Sequence, residues 1–339
     1  MGPREVAAGA ALAAERGVRV LLFGPAREIG SVPAGMELID APLSIAKSAD
    51  PARAVRAAPD SSIVQAARAV AGERAHALVC AGGTGAALAA GLFHIKRAGG
   101  IHRPALALAL PVPGRAVPVT LIDVGANTEA RPEHLVQFAF MGGAFASAVL
   151  GVGRPRVGLL ANGSEAQRGG ALVTAAREAL AERLSSGGQP GPIELLGNVE
   201  GNTALAGDAD VVVTDGLTGN IVLKLIEGVS AITLGAIRDA AMASPRARLG
   251  GFLMRPALRA FRAAADPEAQ GGAYLLGLRS LVVVPHGRFS REGFAQAIVR
   301  ARDGVAADVV GSTHAALQRA GALRRAPLAG GPAGVRVGR

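Results

Sequence analysis

Four glycine-rich turns along this chain of 339 residues combine residue types that could hold a reacting anion. They are Ala81-Gly82-Gly83-Thr84-Gly85-Ala86, Asp123-Val124-Gly125-Ala126-Asn127, Asn162-Gly163-Ser164-Glu165 and Asp215-Gly216-Leu217-Thr218-Gly219-Asn220, each directly after a short apolar run. The first and last also open helical stretches, where unpaired N–H groups and the helix dipole favour negative charge. Glycine lets the backbone approach that charge closely. Gly82, Gly83, Thr84, Gly85, Gly216 and Gly219 are therefore the candidate phosphate-binding residues. None of these turns is a G-x-G-x-x-G dinucleotide fingerprint, no G-x-x-x-x-G-K-S/T loop occurs, and no His/Cys/carboxylate cluster points to a metal. A small phosphate-like anion is the expected ligand, with no metal and no cofactor.

The elements that must position these turns alternate in type. Strands are expected at 18–23, 36–39, 77–80, 105–110, 119–123, 156–160, 211–214 and 281–284. Helices are expected at 3–16, 62–72, 85–97, 133–150, 170–185, 220–243 and 290–302. This alternation, with continuous apolar strands, predicts an α/β fold whose mostly parallel sheet is covered on both faces. The strand C-terminal ends, and the four turns with them, should then share one edge. Residues 1–320 read as one domain, and 321–339, rich in Gly, Pro and Arg, as a disordered basic tail. The first helix has no strand before it, so either the sheet lacks that strand or the true start lies upstream.

Composition narrows the function classes. Half the residues are hydrophobic but 3% are aromatic, so Ala, Val, Leu and Gly build the interior. A single cysteine, Cys80, rules out a disulfide framework. The net charge of +10 suggests nucleic acid, yet nine of the ten excess charges are arginines in two segments, 246–262 and 324–339. Without interleaved aromatics on a basic face, no nucleic-acid partner is expected. Residues 135–153 carry no charge and approach the length of a membrane span. Gln137, Ser147 and several glycines favour a helix buried in the core or a subunit interface instead. No leader segment opens the chain, which predicts a cytosolic protein.

The motifs themselves resemble a known family. Asp123-Val124-Gly125-Ala126-Asn127 is followed by Arg131-Pro132-Glu133-His134-Leu135-Val136-Gln137-Phe138-Ala139 and Met141-Gly142. Gly197-Asn198-Val199-Glu200-Gly201 precedes Ala209-Asp210-Val211-Val212-Val213-Thr214-Asp215-Gly216, then Gly219-Asn220 and Leu223-Lys224. Gly271-Gly272-Ala273, Leu275-Leu276-Gly277-Leu278 and His286-Gly287 complete the series. In order and spacing, over roughly residues 3–310, the chain resembles the PlsX-type phosphate acyltransferases of bacterial phospholipid synthesis. The resemblance implies a Rossmann-like α/β/α sandwich, a homodimer, no organic cofactor, and transfer of an acyl group from acyl carrier protein to inorganic phosphate. The acyl phosphate product would feed a membrane glycerol-3-phosphate acyltransferase of the PlsY type. The chain departs from the pattern in lacking the opening Asp-Ala-Met-Gly-Gly-Asp. Gly83 and Ala161 stand where Asn is usual, Ala57-Ala58 replace basic residues, Asn202-Thr203 an Arg-Asp pair, and Gln270 an aromatic.

With phosphate as nucleophile, such a site must hold an anion against a thioester and stabilise the developing oxyanion. The leaving thiol has a pKa of about 8.5, so a strong general acid is not obligatory. Lys224, one turn into the helix opened at Gly219-Asn220, is placed to reach the anion. Asn127 and Asn220 are candidate donors to phosphate or the thioester oxygen, or braces of their own turns. His286 closes a strand as a candidate acid or phosphate donor, or as a structural histidine. Cys80, also at a strand end, invites comparison with a covalent nucleophile.

Partner surfaces are expected at two places. Acyl carrier proteins are acidic, which makes Lys96, Arg97 and Arg103, after the helix opened at Gly82–Gly85, the candidate docking residues. Between Asp239 and Asp266 no acid occurs, while arginines alternate with Leu249, Phe252, Leu253, Met254, Leu258 and Phe261. This predicts a protruding helical tip at about 243–268, split or kinked at Pro256, that contacts an anionic membrane surface through Leu249, Phe252, Leu253 and Phe261. Two other readings compete. One is a degenerate, non-catalytic family member that acts as a membrane and partner scaffold. The other is a metal-dependent dehydrogenase of distantly similar fold, against which the missing acidic cluster counts.

Overall fold

The computed structural model describes residues 2–185, 191–204, 206–264, 267–285 and 289–324. Helix α1 (Pro3–Glu15) packs beside a two-stranded parallel sheet of β1 (Val20–Gly24) and β2 (Met36–Asp40), linked by the short α2 (Ala26–Ile29). Helices α3 (Pro51–Ala57) and α4 (Ser62–Ala71) lead to β3 (Ala77–Val79), and α5 (Thr84–Ala90) runs on into a π-helical turn, Gly91–Ile95. Next come β4 (Ala105–Leu110), β5 (Val119–Ile122), α6 (Pro132–Leu150), β6 (Arg156–Ala161), α7 (Gly170–Ser185), β7 (Glu194–Glu200) and β8 (Val211–Val213). A hairpin of α8 (Gly216–Met242) and α9 (Pro245–Ala264) separates β8 from β9 (Ala273–Leu276) and β10 (Leu281–Val284). Helices α10 (Arg291–Ala306) and α11 (Val309–Arg319) follow.

Eight strands form the main sheet in the order β3-β10-β9-β4-β5-β8-β6-β7. The pairs β3–β10, β5–β8, β8–β6 and β6–β7 are parallel, so the expectation of a mostly parallel sheet holds. Three antiparallel pairs interrupt it, β10–β9, β9–β4 and β4–β5. Only residues 111–118 lie between β4 and β5, too few for the crossover a parallel pair needs. Three reversals leave β3 and β10 running opposite to β5, β8, β6 and β7. The strand ends therefore do not share one edge: the Gly82–Gly85 turn leaves from the edge opposite the Asp123, Asn162 and Asp215 turns.

Alternation along the strands sorts side chains onto two cores. Ala105, Ala107, Ala109, Ile122, Val211 and Val213 face α6, α7, α10 and α11, where Phe138, Phe140 and Phe145 are fully buried. The uncharged stretch 135–153 is thus the core helix α6 and its cap. Leu106, Leu108, Leu110, Leu121 and Val212 face the other way, towards α4, α5 and the first turns of α8. Both helices that open at the outer glycine turns consequently lie on one face of the sheet.

Some expectations need adjustment. Strands β7 and β9 and helix α11 were not foreseen, because β7 carries Gly197 and Asn198 in its middle and β9 is four residues between glycines. Helix α9 runs unbroken through Pro256, which is exposed, so water can serve the carbonyl that loses its helical donor. Residues 321–324, expected in the tail, are packed instead: Ala322 is buried, its carbonyl accepts from Gln137 Nε2 at 2.8 Å, and Arg324 N donates to Gly100 O at 2.7 Å. Residues 325–339 lie outside the described residues.

Candidate functional site

At the end of β5 the chain turns around one carboxylate. Asp123 is fully buried, and its Oδ1 accepts from the N–H groups of Leu106, Gly125 and Ala126 at 2.9–3.1 Å. Its Oδ2 accepts from Asn127 N at 2.8 Å and Asn127 Nδ2 at 2.7 Å. Burial pushes the Asp123 carboxyl above the usual carboxylate range, while these donors pull it back. Asn127 Nδ2 also donates to Pro104 O at 2.8 Å. The amide of Asn127 is thereby committed to the turn, and the expectation that it donates to a ligand is corrected to a bracing role.

The Asp215 turn sits against this node. Asp215 caps α8, with Oδ1 accepting from Leu217 N and Thr218 N at 3.0 and 2.9 Å and Oδ2 from Thr218 Oγ1 at 2.7 Å. Gly216 N donates to Asn127 O and Gly219 N to Asp215 O. The four N–H groups that a helix normally leaves unpaired at its start are all taken, so α8 offers none to an anion. The phosphate-binding expectation for Gly216 and Gly219 is corrected accordingly. A Cβ at Gly216 would lie 2.6 Å from Asn127 O, and one at Gly219 would collide with the backbone oxygen of Asp123. These glycines let two turns touch. Asn220 completes the contact, donating from Nδ2 to Val124 O at 3.2 Å. Lys224, one turn further on, is exposed.

The Asn162 turn is braced from β7. Asn198 Nδ2 donates to the carbonyls of Gly163, Glu165 and Arg168, and Glu200 Oε1 accepts from Ser164 N.

The Gly82–Gly85 turn differs. Gly83 caps α5 in the left-handed region at φ 74°, a conformation that disfavours a side chain, and it makes no side-chain capping bond. Among the described residues, no acceptor meets the N–H groups of Gly83, Thr84, Gly85 or Ala86, and Thr84 and Gly85 are exposed. This is the one of the four turns that keeps open donors at a helix start. Cys80 beside it donates from Sγ to Gly82 O at 2.8 Å, and burial pushes its thiol up to about 12. A thiol so protonated is a poor nucleophile, and its hydrogen bond ties Cys80 to the turn. His286 lies outside the described residues.

The basic segment 96–103 reaches the edge that carries the Asp123 turn. Lys96, Arg97 and Arg103 are all exposed, and Arg97 Nη1 donates to the carbonyls of Ile101 and His102 and braces the segment. The His102 and His134 rings lie 5.8 Å apart beside it. Burial first, and then the surrounding arginines, hold both imidazoles below their ordinary range despite Glu133. In the helical hairpin, Leu249, Phe252, Leu253 and Phe261 are 64, 67, 70 and 46% exposed. Along α8 the exposed side chains of Ile221, Leu225, Val229 and Ile232 recur at helical spacing. By length and composition α8 could cross a membrane, and so could the largely buried α6.

Comparison with known proteins places this architecture. The family model described as "Fatty acid synthesis protein" matches residues 1–311. The phosphate acyltransferase of Thermobifida fusca is 40% identical over 308 residues, covering 89% of this chain and 84% of that protein. That of Geobacillus thermodenitrificans is 39% identical, covering 94% and 95%. Among solved structures, a phosphotransacetylase from Streptococcus pyogenes superposes with a TM-score of 0.57 at 16% identity, over 89% of this chain and 91% of that one. The EutD phosphotransacetylase from Staphylococcus aureus gives 0.51, also at 16% identity, over 88% and 99%. These solved structures share the Rossmann-like fold. The chain is an acyltransferase of fatty acid and phospholipid synthesis and belongs to the PlsX family of phosphate acyltransferases.

Proposed function

We propose that this chain transfers a fatty acyl group from acyl carrier protein to inorganic phosphate. A phosphate oxygen attacks the thioester carbonyl, the tetrahedral oxyanion collapses, and the C–S bond breaks. The products are acyl phosphate and the carrier's thiolate, which takes a proton from water. The observation that carries the reading is the α5 turn, whose open N–H groups at Gly83, Thr84 and Gly85 suit a phosphate dianion. Lys224 and Asn220 enter from α8 on the same sheet face, so the thioester would lie across that face between α5 and α8. Lys224, at the opposite sheet edge from the α5 turn, would add positive charge at the thioester end of that face, and the Asp123–Asn127–Gly219 node would hold α8 in place. Lys96 and Arg103 would steer the acidic carrier.

The exposed apolar stripe of α8 fits a homodimer contact, and the basic, apolar tip of α9 fits peripheral attachment of a cytoplasmic enzyme to anionic lipid. Acyl phosphate formed there could pass to a membrane glycerol-3-phosphate acyltransferase of the PlsY type. The test is direct: incubate the purified chain with acyl carrier protein thioester and phosphate, and trap acyl phosphate with hydroxylamine. Phosphate-dependent hydroxamate is the expected product. Its absence with a folded, liposome-binding protein would favour the scaffold reading.

A further inference from the structure

A cavity lies on the sheet face opposite α5 and α8. It has a volume of about 230 Å3 and is walled by Val117, Phe145 and Val149 with Gln270, Tyr274 and Arg300. It sits where the loop between β4 and β5 meets the C-terminal end of α6 and the middle of α10. The apolar side chains make one end. At the other, Arg300 Nε is buried and has no hydrogen-bond partner. The Tyr274 hydroxyl, on an almost fully buried side chain, has only a 3.4 Å contact to Arg300 O. Asp303, the nearby acid on α10, is engaged at 2.7 Å by Arg302. A buried guanidinium Nε without a partner among the described residues, set beside an apolar wall, suits a ligand with an anionic head and a short apolar tail.

We propose that this cavity binds a short-chain carboxylate, held by Arg300 with the Gln270 amide and Tyr274 hydroxyl and with its tail against Phe145 and Val149. Hexanoate, with one carboxylate and a short alkyl tail, is a ligand of the class this cavity of about 230 Å3 should take. The proposal is independent of acyl transfer on the other face.

Isothermal titration of the full chain with hexanoate, 1-hexanol and acetate separates head from tail. Hexanoate should bind at least tenfold more tightly than either. Arg300→Met should weaken hexanoate by about tenfold or more, the effect of losing a charged hydrogen bond, and leave hexanol unchanged. Val149→Phe should fill the cavity and weaken both. Thr84→Asp, at the proposed phosphate turn, should alter neither. Failure of the folded wild-type chain to bind hexanoate overturns the proposal, as does full-strength binding in Val149→Phe, which also decides the matter if Arg300→Met does not fold. Loss of hexanoate binding in Thr84→Asp would move the ligand to the acyl-transfer face and overturn it equally.

Discussion

Replacing Asp123 by Asn tests whether its carboxylate is the organiser of the site. The change keeps the shape of the side chain and one oxygen, which can still serve Leu106, Gly125 and Ala126. It places an NH2 where Oδ2 now accepts from Asn127 N and Asn127 Nδ2 at 2.8 and 2.7 Å. Two charge-assisted bonds are lost, at about 1.5–3 kcal/mol each, and three donors are left facing one another. Allowing for non-additivity within one network, the variant should be about 3–5 kcal/mol less stable. That is a large share of the roughly 5–15 kcal/mol that holds a folded protein together. Urea unfolding with an unchanged slope measures it, and the helical hairpin should loosen because α8 rests on the same turn. Stability within about 0.5 kcal/mol of wild type, an ordinary surface effect, would refute the reasoning. Wild-type stability with abolished turnover would instead make Asp123 a catalytic residue.

Five further variants have expected outcomes. Lys224→Ala should slow turnover by roughly tenfold to a hundredfold, and Thr84→Asp should raise the Michaelis constant for phosphate without lowering the melting temperature; normal kinetics in both would remove the reaction from this face. Asp210 is held by Arg156 at 2.9–3.1 Å and by Arg115 at 3.0 Å, and although burial works to raise its carboxyl, these arginines keep it below the usual range. Asp210→Asn should therefore cost about 2–3 kcal/mol at pH 7, discounted for the half-exposed Arg156. A depressed folded pKa contributes stability above the unfolded value and loses it in acid, so that difference should shrink as pH falls below about 4, read from denaturation at a series of pH values. Arg103→Glu should raise the Michaelis constant for the carrier-bound substrate at low salt, with the effect fading as salt screens it; an unchanged constant places docking elsewhere. Serine at Phe252, Leu253 and Phe261 together should release the protein from anionic liposomes while hydroxamate formation persists, and undiminished sedimentation would acquit this segment.

The family-level motifs were legible because they are local. Glycine where two chain segments touch, aspartate at a strand end and asparagine in a turn are read from type and spacing alone. Element positions followed as well: β4, β10 and α7 fall where the apolar runs and their flanking breakers set them. The chain's own residues thus determined the class of fold, the buried helix α6 and an exposed basic, apolar hairpin.

Strand direction and hydrogen-bond partners were decided by the tertiary structure. β9 is a short run between glycines, and its antiparallel insertion, with the β4–β5 reversal, moved the Gly82–Gly85 turn to the opposite edge from its companions. Four similar turns also differ in how their polar groups are paired. Asp215 fills the start of α8 with its own carboxylate, Asn198 closes the Asn162 turn from a neighbouring strand, and Asp123 consumes the Asn127 amide. Of the two turns that open helices α5 and α8, only the α5 turn keeps its donors open among the described residues. Whether an N–H is free depends on which distant acceptor folds against it, and that is a property of three-dimensional packing that residue spacing does not encode.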